Sequence, residues 1–247
     1  MKSKKQVALI TGGAKRIGAS ICKRLHGADI DLIIHYRNSE NEAQALKKEL
    51  NDLRKNSATI IQADLCNQNT YQTIISECIN IYGQINYLVN NASSYYPTKL
   101  GSINESNWND LMTSNLKAPL FLCQSAAPYL QKTKGAIINI TDVHIQKPKK
   151  NYVVYSIAKA GLETLTKSLA YELGPDIRVN AVAPGPVLWS EYSQEFDEAY
   201  REKVISQTLL KRIGESDDVA KAVEFLLLNA PFITGQILNV DGGRSFT

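Results

Sequence analysis

Tyr155 and Lys159 stand four residues apart at the start of a segment of helical period, so both project from one face. A phenol is a poor acid near neutrality, with an ordinary pKa of about 10. An ammonium beside it stabilises the phenolate and lowers that pKa, bringing proton donation toward pH 7. The pair reads as a proton donor with its activating cation, although the same spacing is common on surface helices. Asp142 lies thirteen residues before Tyr155, just after an apolar run, and so belongs to the same edge of any sheet. Asn115 falls inside a helical run, where asparagine is a poor helix former and is tolerated when its side chain has a specific partner.

A second group suits phosphate. The stretch Thr11-Gly12-Gly13-Ala14-Lys15-Arg16-Ile17-Gly18 joins a short apolar run directly to a helical one. A glycine turn at that place lets backbone N–H groups approach a pyrophosphate at the helix N-terminus. The spacing is not G-x-G-x-x-G, and a plain strand–helix turn would use the same glycines. Lys15 and Arg16 add cations to the turn. The next apolar run ends in His35-Tyr36-Arg37-Asn38-Ser39, where an NAD site would carry an acid for the ribose 2′-hydroxyl. A 2′-phosphate suits the guanidinium, hydroxyl and imidazole found there, and a carboxylate would repel it, so NADP(H) is favoured over NAD(H). The alternative for Arg37 is a solvated loop charge. Asp64-Leu65 and Asn90-Asn91-Ala92-Ser93 follow two further apolar runs and could meet the adenine amino group and ribose, or serve only as turn formers.

Short β-branched runs and longer helical stretches must position these residues, and they alternate along the whole chain. Strands are expected at 6–10, 31–35, 59–63, 87–89, 136–140, 178–183 and 237–240; helices at 17–27, 40–55, 70–82, 108–129, 155–173 and 217–228. The strands are apolar at nearly every position, as strands covered on both faces are. Ser216 is a reasonable cap for the last helix, and Gly27, Gly83 and Gly174 stand just past helix ends, where left-handed residues are favoured. Such alternation implies right-handed crossovers and a Rossmann-like, doubly wound parallel sheet of about seven strands flanked by helices. No linker or repeat divides the chain, so one domain over 1–247 is expected. The irregular stretch from Pro184 to about Glu195, with the helical stretch through Gln207, forms a candidate substrate loop over 184–207.

Composition narrows the classes. The 247 residues, 44% hydrophobic and 21% charged, are ordinary for a globular chain that needs no disulfide or metal to hold its core. Cys22, Cys66, Cys78 and Cys123 form no C-x-x-C pair and, with three scattered histidines, suggest reduced thiols and no zinc site. Twenty-eight Lys and Arg are interleaved with twenty-four Asp and Glu, unlike a nucleic-acid footprint. The longest apolar runs, such as Phe225–Leu228, are far short of the roughly 20 residues of a membrane span, and no secretory signal is read at the start. A cytoplasmic location is expected.

Thr11-Gly12 through Gly18, Asn90-Asn91-Ala92, Asn115, Tyr155-x-x-x-Lys159, Pro184-Gly185 and Asp241-Gly242-Gly243 together resemble the short-chain dehydrogenase/reductases, in order and spacing over essentially the whole chain. Three departures are informative: Arg16 stands at the usual middle glycine, Ser93 at the glycine of Asn-Asn-Ala-Gly, and Asp142 at the catalytic serine. All three resemble the pteridine reductase subgroup, as do Asn90 through Thr98, His35-Tyr36 and Ser39; that subgroup's arginine sits one place later than Arg37.

The resemblance implies hydride transfer from NADPH to a pterin or dihydrofolate-like C=N bond. Tyr155 would donate or relay the proton, Lys159 would bind the nicotinamide ribose and depress the Tyr155 pKa, and Asn115 would hold a water or backbone group in the relay. Asp142 would partner Tyr155, since a carboxylate has the wrong charge for a carbonyl oxyanion; the alternative is that it only caps or solvates its loop. The implied cofactor site comprises Gly12, Lys15, Arg16, Ile17, His35, Tyr36, Arg37, Asn38, Ser39, Asp64, Leu65, Asn91, Ala92, Ser93, Tyr155, Lys159, Pro184 and Gly185. Arg16, Ser93, Tyr95, Asp142, Tyr155 and Trp189 would meet substrate, with Tyr95 stacking on the pterin. Lys147-Pro148-Lys149-Lys150 reads as a solvated loop with weak attraction for folate glutamates, and His144 as a loop histidine. Trp189 and Tyr192 fall in the expected substrate loop, and the tail arginine that some pteridine reductases send into a neighbouring subunit is absent. A homotetramer with one interface around 108–129 and 155–173 is implied. The competing readings are a general carbonyl reductase, on a thioester, ketone or quinone, and a non-catalytic NADP(H)-binding sensor.

Overall fold

The computed structural model describes residues 5–67, 69–187 and 198–247. Seven parallel strands form its sheet: β1 Val7–Ile10, β2 Asp31–Tyr36, β3 Ala58–Gln62, β4 Tyr87–Asn90, β5 Ala136–Ile140, β6 Arg178–Pro184 and β7 Ile237–Val240. Their order is β3-β2-β1-β4-β5-β6-β7. Strand order reverses between β1 and β4, so the connections leaving these two neighbours run to opposite faces and open a crevice at their carboxyl ends.

The period of two decides which side chain meets which layer. Ala8 and Ile10 of β1 point to a layer holding α1 (Arg16–Gly27), α2 (Glu40–Leu53) and α8 (Ser216–Glu224). Val7 and Leu9 point to α3 (Thr70–Tyr82), α5 (Ala118–Thr133) and α6 (Val153–Leu173). Both faces of β1 are fully buried, which explains its unbroken apolar sequence. Each fully buried Leu or Ile contributes about 1.5–3 kcal/mol relative to exposure.

Some expected boundaries move. The helix expected over 108–129 is divided into α4 (Glu105–Met112), a π-helical turn (Thr113–Lys117) and α5. It begins earlier because Asn104 and Asn107 cap each other, the Asn107 N–H donating to Asn104 Oδ1 at 2.9 Å. Ser216 is the first residue of α8 and not its cap; the Glu215 N–H, one residue earlier, donates to the Asp218 carboxylate at 2.9 Å. That helix ends at Glu224 and passes into a second π-helical turn, Phe225–Asn229. Gly83 takes the left-handed conformation expected of it, with φ 73°. Gly27 instead ends α1, with Asp29 (φ 64°) in the left-handed position, and Gly174 is extended. Within 184–207 a short helix, α7, covers Glu198–Ser206, while 188–197, with Trp189 and Tyr192, lies outside the described residues. No helix among the described residues is long and apolar enough to cross a membrane.

Candidate active site

The turn after β1 is held from both neighbouring strands. Asn91, just past β4, donates its side-chain amide to the carbonyls of Thr11 (2.9 Å) and Gly12 (3.0 Å), and the Asn91 and Ala92 N–H groups both donate to Thr11 Oγ1. Gly12 has φ 59°, and a Cβ there would meet the Ala92 Cα at 3.0 Å, so only glycine lets the β1 and β4 loops approach so closely. From β2, His35 Nδ1 accepts the Gly12 N–H at 3.1 Å, and its backbone carbonyl accepts the Gly13 N–H at 2.9 Å. The other ring nitrogen then carries the proton and donates to the Ala63 carbonyl at 3.1 Å.

This arrangement corrects the expectation that the His35 imidazole is available to a 2′-phosphate. Both ring nitrogens are engaged by backbone, and burial lowers the pKa to about 4, outweighing the Ala63 hydrogen bond and the Asp64 charge. His35 is neutral and braces the turn. Asn91 likewise uses its amide donors on the turn. Tyr36 packs its ring against Ala14 and Ala43, whereas Arg37 and Asn38 stay exposed with Ser39 beside them at the N-terminus of α2. Arg16 opens α1 in the left-handed region, φ 53°, where the sequence places an arginine at the usual glycine. Lys15 pairs with Glu42 at 2.6 Å. Asp64 Oδ1 accepts the Cys66 N–H at 2.9 Å, shaping the turn after β3, with Leu65 buried beneath.

The second cluster forms where β5 meets α6. Asp142, two residues beyond β5, has both carboxylate oxygens engaged: Oδ2 accepts from the Tyr155 hydroxyl at 2.7 Å, and Oδ1 accepts from His144 Nδ1 at 2.7 Å and the His144 backbone N–H at 2.8 Å. Burial pushes the Asp142 carboxyl up, but the His144 hydrogen bonds and charge outweigh it and hold the group below its ordinary range. Lys159, buried one turn after Tyr155, donates Nζ to the Ile140 carbonyl at 2.8 Å, and burial lowers it to about 8.

The expectation that Lys159 depresses the Tyr155 pKa is overturned. Burial raises the phenol well above its ordinary value, and the Asp142 charge and hydrogen bond raise it further. The Lys159 ammonium sits 5.8 Å from the ring centroid and donates to a backbone carbonyl, so the nearer carboxylate dominates. In this state Tyr155 is a protonated phenol donating to a carboxylate.

Asn115 holds backbone carbonyls, one of the two kinds of partner expected for it. It lies fully buried in the π-helical turn, donates to the carbonyls of Ser94 and Leu111 at 2.9 Å each, and accepts from the Ser93 hydroxyl at 2.6 Å. It therefore fixes the loop carrying Tyr95. Tyr95 stacks on Tyr152 (centroids 4.8 Å, 23°) and presents an edge contact to Tyr155 (4.9 Å, 78°). Lys149 Nζ donates to the Tyr95 hydroxyl at 3.2 Å and lies 4.6 Å from the Tyr152 ring centroid.

One cleft of about 730 Å³ joins the two clusters. It brings together Gly12, Lys15, Arg16, Ile17, the 35–39 segment, Asp64, Leu65, Asn91, Ala92, Ser93, Tyr95, Asp142, Tyr155, Lys159, Pro184 and Gly185. Asn115 lies behind its wall, and Trp189 lies outside the described residues. Residues the sequence reading left aside also line it: His144, Lys149, Tyr200 and Arg244. For His144 the signal was its place two residues after Asp142, and for Lys149 its nearness to Tyr155. Arg244 follows the Asp241-Gly242-Gly243 turn, whose carboxylate accepts the Gly243 and Ser245 N–H groups at 2.8 Å each. A cationic tail residue thus reaches the cleft of its own chain. Arg16, Arg37, Lys15 and the glycine turn could hold a phosphorylated cofactor; Asp142, Tyr155 and Lys159 could exchange protons at its other end.

Residues 12–245 match the family model described as enoyl-(acyl carrier protein) reductase. Pteridine reductase 1 of Leishmania tarentolae is 36% identical, over 98% of this chain and 96% of its own. The 3-oxoacyl-(acyl-carrier-protein) reductase FabG of Staphylococcus aureus is 34% identical over 96% of each chain, and that of Staphylococcus epidermidis 34% identical over 96% and 97%. With the glycine turn, the Tyr155–Lys159 pair and the parallel sheet in place, the chain belongs to the short-chain dehydrogenase/reductases, a family of oxidoreductases.

Proposed function

We propose that this oxidoreductase is an NADPH-dependent pteridine reductase that saturates a C=N bond of a dihydropterin, dihydrofolate-like or oxidised pterin substrate. The observation that carries the reading is the 2.7 Å hydrogen bond from Tyr155 to Asp142. A carbonyl reductase needs a neutral donor beside its tyrosine for the developing oxyanion; a carboxylate there opposes that charge, whereas a ring nitrogen needs a proton. The likeness to pteridine reductase 1 supports the same reading.

The residues present fit the cofactor. The backbone of the Gly12 turn has no room for a Cβ, and the β2 end offers Arg37 and Ser39 with no carboxylate over 35–39. Arg16 and the turn would hold the pyrophosphate, Arg37, Asn38 and Ser39 the 2′-phosphate, Asp64 and Leu65 the adenine, and Lys159 the nicotinamide ribose, with Pro184 and Gly185 along the nicotinamide. The bound cofactor supplies a hydride. Tyr155 gives a proton to the substrate nitrogen, Tyr95 stacks on the pterin ring, and Asn115 holds the Tyr95 loop through Ser93 and Ser94. Lys149 and Arg244 place positive charge on the cleft, suited to a substrate carboxylate such as a folate glutamate.

The chain would act as one domain, with 184–207 as its substrate loop, in a cytoplasmic homotetramer. Apolar side chains exposed on α4, α5 and α6 (Trp108, Leu120, Val153, Ile157) and near β7 (Phe232, Leu238, Phe246) support assembly through two surfaces. The second reading, a 3-oxoacyl thioester reductase, is favoured by the 34% identity to FabG.

Following NADPH oxidation with dihydrobiopterin, dihydrofolate and oxidised biopterin beside a 3-oxoacyl thioester, a ketone and a quinone decides between them. Pterin turnover well above the carbonyl substrates is expected, and Asp142→Ser should abolish it. Preference for the carbonyl substrates, kept or raised in Asp142→Ser, would establish the second reading. Cofactor binding with no turnover of any of them would leave a sensor.

A further inference from the structure

Asp142 poses a difficulty for the donor it contacts. If Tyr155 releases its proton while Asp142 stays ionised, a phenolate and a carboxylate are left with oxygens 2.7 Å apart in a buried site. Two like charges at that range cannot both persist. A proton must therefore reach the Asp142 carboxylate as the phenol gives its own away. Oδ2 faces the phenol, so the proton enters at Oδ1, and Oδ1 is held by His144.

We infer that His144 is a positioning residue that supplies protons to Tyr155 through Asp142, drawing them from water in the cleft. This rests on the reading of Tyr155 as proton donor. His144 is part-exposed and lines the same cleft, and its Nδ1 and backbone N–H both meet the Asp142 oxygen that Tyr155 leaves free. Imidazole is the side chain that exchanges protons with water near neutrality. The bond changes balance. The phenol O–H breaks and an N–H forms on the substrate; the imidazolium N–H breaks and an O–H forms on Asp142. The protonated carboxyl then turns about its Cβ–Cγ bond to bring the new O–H to the phenolate and passes the proton on, and water in the cleft reprotonates the imidazole. One proton passes from water to substrate for each turnover, and no electrons move within the relay.

The donor and acid groups facing this relay come from several elements: Tyr155 and Lys159 on α6, Tyr95 after β4, Lys149 and Tyr152 before α6, Tyr200 on α7 and Arg244 at the C-terminal turn. All remain when residue 144 alone is changed, so a change in pH profile can be assigned to it.

The test compares His144→Asn, which keeps a hydrogen-bond donor but cannot carry a proton, with His144→Ala. Both should lower kcat about 100-fold near neutrality with KM changed less than about threefold, the scale of a lost general-acid contribution. Both should alter the pH dependence of kcat relative to wild type, and added imidazole should restore part of the His144→Ala rate. A His144→Asn protein with wild-type kcat and an unchanged pH profile would overturn the relay. A readout independent of turnover is the far-downfield proton resonance of Nδ1–H in the protein without substrate. It should vanish in His144→Asn and Asp142→Asn; its absence from wild type also overturns the proposal. If wild type reduces a ketone or quinone in place of pterins, the pterin reading fails, and the same variants on that substrate decide the relay.

Discussion

His35 makes acid sensitivity of the cofactor turn a quantitative expectation. Its pKa falls from 6.5 to about 4 on folding because the ring is buried with both nitrogens bonded to backbone. The unfolded chain binds this proton first as pH drops, so the contribution is fully present above 6.5 and is lost as pH falls through the window down to about 4. The displacement corresponds to about 2 kcal/mol lost by pH 5 and about 3 kcal/mol by pH 4. Urea unfolding at pH 7.5, 6, 5 and 4 would be run on wild type and on His35→Asn, which keeps an acceptor for the Gly12 N–H but does not titrate. The variant should be less stable near neutrality, and the gap should close by about 3 kcal/mol toward pH 4 as wild type alone pays for protonating the ring. Cofactor affinity of wild type should hold through most of that range and weaken only as pH falls through about 4, where the folded ring itself takes up a proton and a protonated Nδ1 repels the Gly12 N–H. Parallel stability curves for the two proteins would refute the assignment of His35 as a neutral brace.

Tyr155→Phe should cut turnover about 10²- to 10⁴-fold while cofactor affinity, measured by fluorescence titration, stays within a few-fold; retained turnover would take the phenol out of the reaction. Arg37→Ala should weaken NADPH binding about 10- to 100-fold, the worth of a charged hydrogen bond of roughly 1.5–3 kcal/mol, and leave NADH binding nearly unchanged. An equal loss for both cofactors would argue against 2′-phosphate recognition. Arg16→Gly relieves a left-handed arginine costing about 1–2 kcal/mol but adds roughly 0.5–1 kcal/mol of chain entropy to the unfolded state. These backbone terms largely offset each other, so the expected readout is a fall in NADPH affinity; an unchanged affinity would take Arg16 out of the cofactor site.

Much of the fold was legible because both faces of the sheet are covered. Val7–Ile10 is continuously apolar and Ala136–Ile140 is so except at Asn139, and the helices between the strands carry one buried stripe each. The division of 108–129 was not legible, since nothing in Thr113–Lys117 marks the added residue and only packing against neighbouring elements selects it. In the site, residue types revealed which groups gather at the carboxyl edge, but not their charge states. His35 read as a partner for the 2′-phosphate because burial and two backbone partners leave no trace in sequence. Lys159 read as the activator of Tyr155 because helical spacing gives adjacency without orientation; the ammonium turns to Ile140 and the phenol to Asp142. His144 and Lys149 read as loop residues and Arg244 was not singled out, and only the folded chain shows the cleft they share.

The π-helical turn at Thr113–Lys117 has a consequence for how this stretch tolerates length changes. Such a turn is an α-helix carrying one residue more than its geometry needs, and each residue rotates the following register by about 100°. Leu111 of α4 must face Val154 and Tyr155, while Leu122, Cys123, Ala126 and Leu130 of α5 must face the sheet, and the extra residue reconciles the two phases. Deleting any one residue from 113 to 117 would convert the turn to ordinary helix and force a choice between the two faces. Either α5 would present polar side chains to the sheet, or Asn115 would swing away from Ser93 and Ser94 and release the loop that carries Tyr95. A single-codon deletion there is expected to be far more damaging than one in the exposed turn around Gly101.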